Sequence, residues 1–424
     1  MTMKRARMLA IVADCAFVVC CALAAAVRAA VPTPIPAESS HAAIEKGRNL
    51  VMAGDCAACH TADGGQPFAG GRAVPTPFGT IFSTNITPDP NTGIGTWSAD
   101  DLYRAMHEGV NREGEHLYPA FPYPWYTKVT RADSDAIKAY LDTLAPVHQP
   151  PRPNKLPWPL TLREGMAAWN AAFFHPGTYV RNARKTGAWN EGAYLVDGLG
   201  HCGACHSPKN FAGAPKRDGA LTGGYGENWY ATSLGGGLRE GLGNWSEQDI
   251  VDFLKRGANH HATAFGPMAE VVRESTSHLD DAQLHAMAVY LKDLPPPGEM
   301  AAAAQPAKDV AERGAGVYID QCAGCHMSQG EGLAGVFPPL KGDGIVQARD
   351  PETLVHLVLT GESAAVTDAH PNRFAMPAFD WKLRDEDIAD LATYLRSAWG
   401  NAGAPVSVGT VADIRSKVEH IVEQ

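Results

Sequence analysis

The chain has 424 residues, 45% of them hydrophobic and 19% charged, with a formal net charge of −10. That is the composition of globular protein rather than of a disordered tail, and the length suggests two to four domains. An acidic chain without a basic run excludes nucleic acid as the natural partner. Its 43 glycines and 31 prolines exceed ordinary usage, which implies much loop, or a core filled by something other than side chains.

The first element in chain order is a basic start, MTMKRAR, followed by an apolar stretch that ends in small residues. It reads as a secretory signal peptide over residues 1–29 with cleavage near Ala29 or Ala30. An uncleaved anchor is the weaker reading, because Asp14 inside the stretch makes spanning costly. Three of the nine cysteines, Cys15, Cys20 and Cys21, lie in this segment. The other six fall in three patterns of one form: CAACH (56–60), CGACH (202–206) and CAGCH (322–326).

C-x-x-C-H is the attachment sequence of c-type haem. Two thiols one helical turn apart reach the two vinyl groups of one porphyrin, and the adjacent His faces the iron. A thioredoxin-like redox motif would not demand His after each second Cys. Structural zinc wants two C-x-x-C knuckles close together, and these are over 100 residues apart. The expectation is three covalently bound haem c groups, on Cys56 and Cys59, Cys202 and Cys205, and Cys322 and Cys325. His60, His206 and His326 are then the proximal iron ligands.

Each motif sits in the same frame. Before it comes a helix with a glycine and an apolar pair: Gly47 with Leu50 and Val51, Gly192 with Leu195 and Val196, Gly314 with Val317 and Tyr318. After it comes a helix with an aromatic–Leu pair, at Tyr140, Tyr290 and Tyr394. Glycine on one helix lets an aromatic on the other come close. That crossing resembles the class I cytochrome c fold, and the expected architecture is all-α, with three such domains in tandem. GIGTWSADDLYRAMHEG (93–109) also matches GLGNWSEQDIVDFLKRG (241–257) without a gap, with Ser98 and Ser246 as N-caps. Proline-rich stretches set the boundaries: 30–147 for the first domain, a linker with a short helix at 148–188, 189–297 for the second, a linker at 298–306, and 307–400 for the third. Residues 401–424 form an amphipathic tail, with Val411, Ile414, Val418, Ile421 and Val422 on one face, for docking on protein or for membrane-surface contact.

Electron-transfer haems take a sixth ligand, and a thioether raises the potential. Met376 lies 54 residues after Cys322, and Met268 lies 66 after Cys202, each beside a proline. They are the expected ligands of the third and second haems, and the carbonyl of Pro338 or Pro339 is placed to orient His326. The first segment breaks the pattern, because Phe121 stands where Met268 stands in the second. Met106, which aligns with Leu254, is the candidate ligand there. His107 and His116 are alternatives, as is an open iron.

Together GDCAACHT, FSTNITPDPNTGIGTWS, HLYPAFPYPWY, GAYLVDGLGHCGACH, GLGNWSEQDI, FGPMAEVV and the third CAGCH resemble the tri-haem cytochrome c subunit of membrane-associated periplasmic dehydrogenases. The resemblance implies a separate catalytic dehydrogenase subunit holding pyrroloquinoline quinone, flavin or a molybdenum cofactor. It also implies delivery of electrons to ubiquinone or a terminal oxidase, and a place on the outer face of the inner membrane. Many members carry methionine at the position of Phe121, so this chain departs from that form. An enzyme with an open, peroxidase- or reductase-like first haem, and a free periplasmic shuttle, are the competing expectations.

Overall fold

Glycine decides how the helices meet. Helix α1 (Ala37–Ala53) is followed by α2 (Cys56–His60), the hairpin β1 (Ala73–Thr76) and β2 (Gly79–Phe82), α3 (Ala99–Glu108), α4 (Tyr123–Tyr126) and α5 (Arg131–Leu141). A Cβ on Gly47 would lie 1.9 Å from the Ala136 carbonyl oxygen and 2.9 Å from Tyr140 Cβ, so α1 and α5 cross backbone to side chain. The chain is described by a computed structural model over residues 37–298, 301, 303–372 and 374–422. The expected signal peptide and its cleavage point lie outside the described residues. Two compact units divide the chain, residues 1–42 and 43–424. The first contributes only the start of α1 among the described residues, and everything below concerns the second.

The linker holds α6 (Glu164–Phe173), the short helix expected there. Trp169 on it is buried and donates its Nε1–H to the Ala212 carbonyl at 2.9 Å. Next come α7 (Gly187–Tyr194), α8 (Gly203–His206), the hairpin β3 (Gly224–Gly226) and β4 (Trp229–Ala231), α9 (Glu247–Arg256), α10 (Gly266–Glu274) and α11 (Asp281–Lys292). Gly192 repeats the crossing, with a Cβ position 1.9 Å from the Ala286 carbonyl oxygen and 2.9 Å from Tyr290 Cβ. The last group is α12 (Lys308–Gln321), α13 (Ala323–His326), α14 (Glu352–Thr360), β5 (Glu362–Ser363), β6 (Ala375–Met376), α15 (Asp385–Ser397) and α16 (Val408–Val422). Gly314 makes the third crossing, 2.2 Å from the Asp390 carbonyl oxygen and 2.6 Å from Tyr394 Cβ.

The distance from crossing glycine to first cysteine is not constant: 9 residues from Gly47, 10 from Gly192 and 8 from Gly314. The shortest spacing lets α12 run straight into Cys322. The spacing of 9 is taken up by a turn at Gly54 and Asp55, with Asp55 at φ 53°. The spacing of 10 appears as a π-helical turn, Leu195–Leu199, which absorbs added residues without moving the helix axis.

Ser98 and Ser246 cap α3 and α9 as expected, each closing a capping box with Asp101 or Asp249. Both helices end on a left-handed glycine, Gly109 and Gly257. Apolar side chains from 50–141 and 193–294 form one continuous core, and those from 318–414 form another. The tail helix α16 lies on this second core through Val411, Ile414 and Val418. Arg415 meets Asp385 at 2.7 Å and Lys417 meets Glu352 at 3.0 Å. The part of the apolar face that can be followed is therefore spent on this chain itself; the side chains of Ile421 and Val422 lie outside the described ones.

Candidate functional site

Each C-x-x-C-H segment begins or forms a helix of four or five residues that carries its histidine at the last position. The imidazole Nδ1 then lies against a distant backbone carbonyl. His60 meets Thr84 O at 2.6 Å, His206 meets Thr232 O at 2.7 Å, and His326 meets Pro338 O at 3.0 Å. With Nδ1–H donating, Nε2 is the free lone pair, as a metal-ligating imidazole requires. Burial lowers all three imidazole pKa values, against the opposing backbone hydrogen bond, which favours the neutral ligand form. Sequence reasoning anticipated a proline carbonyl for His326 and missed the two threonines. Their signal was present: both end an aromatic-x-Thr run leaving the second strand of a hairpin, Phe82–Thr84 and Tyr230–Thr232.

None of the six cysteines of the motifs is joined in a disulfide. Burial pushes the thiols of Cys56, Cys59 and Cys202 up to about 12 and that of Cys322 to about 11. Two cysteines outside any disulfide beside one imidazole are the residues that covalent haem c requires.

Met268 occupies the first turn of α10, behind Gly266 at φ 52°. A Cβ at Gly266 would meet the Trp229 ring at 3.1 Å, so the turn needs glycine for both reasons. Met376 lies in the two-residue strand β6, opposite Glu362. Met268 and Cys202 pack against one apolar core, and Met376 and Cys322 against the other. In the first segment the Leu117 N–H donates to Gly109 O at 2.8 Å, and in the second the Ala264 N–H donates to Gly257 O at 2.7 Å. Four residues beyond these anchors stand Phe121 and Met268, so the two positions correspond in the fold as well as in the sequence. Phe121 packs on Tyr126, ring centroids 5.4 Å apart.

Met106 is buried on α3, and its Sδ lies 3.8 Å from the Ser134 hydroxyl on α5. The equivalent residues of the second segment are Leu254 and Leu284, both buried. Of the other two candidates, His107 stacks on Tyr103 with its Nδ1 3.5 Å from Thr127, and His116 Nδ1 faces Asn170 Nδ2 at 3.0 Å; both side chains are only partly buried.

The motif segments are joined by polar contacts that no spacing rule reveals. Arg72 bonds Glu227 at 3.0 Å and Glu270 at 2.7 Å, and its Nη1 lies 3.9 Å from Cys59 Sγ. Farther on, Trp229 stacks on His356 at 3.8 Å, while Thr353 Oγ1 accepts from Tyr230 N–H at 2.9 Å and donates to Tyr230 O at 2.7 Å.

The cytochrome c family model matches residues 44–145 and 311–399. The chain is 41% identical over 404 residues to the gluconate 2-dehydrogenase cytochrome c subunit of Pantoea cypripedii, covering 89% of this chain and 90% of that one. It is 38% identical over 400 residues to the cytochrome c subunit of the quinone alcohol dehydrogenase of Gluconobacter oxydans, covering 89% and 83%. It is 37% identical over 421 residues to the fructose dehydrogenase cytochrome subunit of Gluconobacter japonicus, covering 92% and 86%. The chain belongs to the family of dehydrogenase cytochrome c subunits. This cytochrome c subunit is mostly helical rather than all-α, with three short two-stranded hairpins among the described residues. No described helix is long and apolar enough to cross a membrane.

Proposed function

We propose that the chain carries three haem c groups in three tandem cytochrome c domains, and moves electrons from a catalytic dehydrogenase subunit toward ubiquinone or a terminal oxidase. The observation that carries this reading is the threefold recurrence of one arrangement: two cysteines outside any disulfide, and a histidine whose Nδ1 is held by a backbone carbonyl. Bound haem c supplies one-electron chemistry at iron. The chain's own part is to hold that chemistry in place. Cys56 and Cys59, Cys202 and Cys205, and Cys322 and Cys325 anchor the groups. Thr84, Thr232 and Pro338 orient His60, His206 and His326. Met268 and Met376 supply the sixth ligands of the second and third haems, and Met106 that of the first. Met106 is buried against the apolar core whereas His107 and His116 are only partly buried, which supports Met106 over either imidazole.

The names of the relatives support a partner that oxidises an alcohol or sugar-derived substrate; the resemblance of the sequence adds that this partner holds pyrroloquinoline quinone, flavin or a molybdenum cofactor. The place proposed is the periplasm, at the outer face of the inner membrane. Haem quantitation and the intact mass of the exported protein test the count. Three haems per chain are expected, falling to two when Cys202 and Cys205 are both replaced by alanine; two haems in the unaltered chain overturn it. Purification from the native membrane without any dehydrogenase subunit would favour the free shuttle.

A further inference from the structure

One cluster lies apart from the haem-binding motifs. Asp249, His260 and His261 each present a ligand atom, and these atoms lie within 4.8 Å of one another. The Asp249 Oδ2 accepts from the Ser246 N–H and hydroxyl at 2.7 Å in the capping box of α9. Its Oδ1 stands 3.1 Å from His260 Nδ1, and His261 Nε2 is 3.5 Å from Oδ2. That Nε2 is shielded from solvent and has no hydrogen-bond partner. Asn259 fixes the turn, donating to Asp249 O at 2.8 Å and accepting from His261 N at 2.7 Å and Ala262 N at 2.9 Å. Trp245 stacks on the His261 ring at 5.2 Å, which sets its orientation.

The first segment is an internal control. Its corresponding carboxylate, Asp101, is met by two guanidinium groups, Arg104 at 3.2 Å and Arg112 at 4.0 Å. Asp249 has no permanent cation as ion-pair partner among the described residues, only two imidazoles. From this geometry we infer that Asp249, His260 and His261 form a binding site for a divalent transition-metal cation of the zinc type. Two imidazole nitrogens and a carboxylate oxygen are ligands this class prefers, at about 2.0–2.2 Å from the metal. Tetrahedral bonds of that length separate neighbouring ligand atoms by about 3.4 Å. The imidazole nitrogens approach the two oxygens of the one carboxylate at comparable distances, 3.1 Å to Oδ1 and 3.5 Å to Oδ2. The cation takes the place that Arg112 holds in the first segment, tying the 259–261 turn to the start of α9 ahead of Gly266 and Met268. His260 is largely exposed and gives the metal its way in.

The test uses the full haem-loaded chain, stripped with a chelator, titrated with zinc sulfate alone and followed by calorimetry and by metal content after gel filtration. One zinc per chain is expected, and His260→Gln should weaken binding at least tenfold while the haem spectrum and circular dichroism stay unchanged. His261→Gln should do the same. Retention of no zinc by the unaltered chain overturns the site. So does zinc binding of equal strength in the unaltered chain and in His260→Gln, which would mark adventitious surface binding.

Discussion

Replacing Met106 by leucine separates ligation from packing, because the second segment already carries leucine at that place. Met106 is 6% exposed and Leu254 is 7% exposed, so the side chain has a proven shape match in this fold. A volume-conserving swap of this kind costs less than about 1.5 kcal/mol. Loss of the contact from Ser134, 3.8 Å from Sδ, adds about 0.5 kcal/mol, the lower end for a hydrogen bond and fitting for a weak sulfur acceptor. Packing alone therefore accounts for about 2 kcal/mol at most, and a fall in Tm of about 2–4 °C per kcal/mol. It accounts for no change in the iron. If Met106 is the sixth ligand, Met106→Leu removes the weak sulfur-to-iron charge-transfer band of one oxidised haem and lowers that haem's potential, since thioether ligation raises it. The assays are the absorption spectrum and a redox titration with the three haems resolved, with Phe121→Met as the companion variant and the smaller effect. An unchanged spectrum and potential in Met106→Leu would refute the assignment and leave the residue the packing role of Leu254.

Gly192→Ala would place a Cβ 1.9 Å from the Ala286 carbonyl oxygen, so α7 and α11 must separate by over an ångström; we expect a loss of about 3 kcal/mol in denaturant unfolding. Gly316→Ala, on an exposed face of α12 with nothing within 4 Å, should gain up to about 1 kcal/mol, and equal stability of the two variants would contradict the crossing geometry. Burial raises the Asp343 carboxyl from the ordinary 3.8 to about 6, against the N–H groups of Val346 and Ile345 that it accepts. Because the folded pKa is the higher one, its stabilising contribution is complete below pH 3.8 and is lost as pH rises through about 6. Asp343→Asn keeps the acceptor without the charge; it should flatten the stability profile between those values and stabilise the chain at pH 7 by about 2–3 kcal/mol. A variant that follows the parent curve would show that Asp343 does not titrate there.

Much of the site was legible in advance because its chemistry is local. Two thiols and an imidazole must sit within one turn of helix, so C-x-x-C-H states its purpose wherever it occurs. The crossing glycines were legible for a related reason: a helix can approach another to contact only where a side chain is missing, and Gly47, Gly192 and Gly314 stand at one place in each repeat. The N-caps Ser98 and Ser246 follow from hydrogen-bond geometry spanning three residues. Less was visible where the partner is a backbone atom. A carbonyl has no letter of its own, so Thr84 and Thr232 were passed over as partners of His60 and His206, although each ends an aromatic-x-Thr run.

The sequence by itself determined the three C-x-x-C-H motifs, the repeating helices around them and the phenylalanine at position 121 where the second segment has Met268, because each depends on spacing along one strand of chain. Only the tertiary structure decided what meets across the chain. Arg72 finds Glu227 across 155 residues. Trp229 stacks on His356, and the tail helix α16 turns Val411 and Ile414 into the last core. Asp101 receives two arginines while Asp249 receives two histidines. These pairings depend on how separately folded helices and turns are set against one another, and side-chain periodicity carries no record of that.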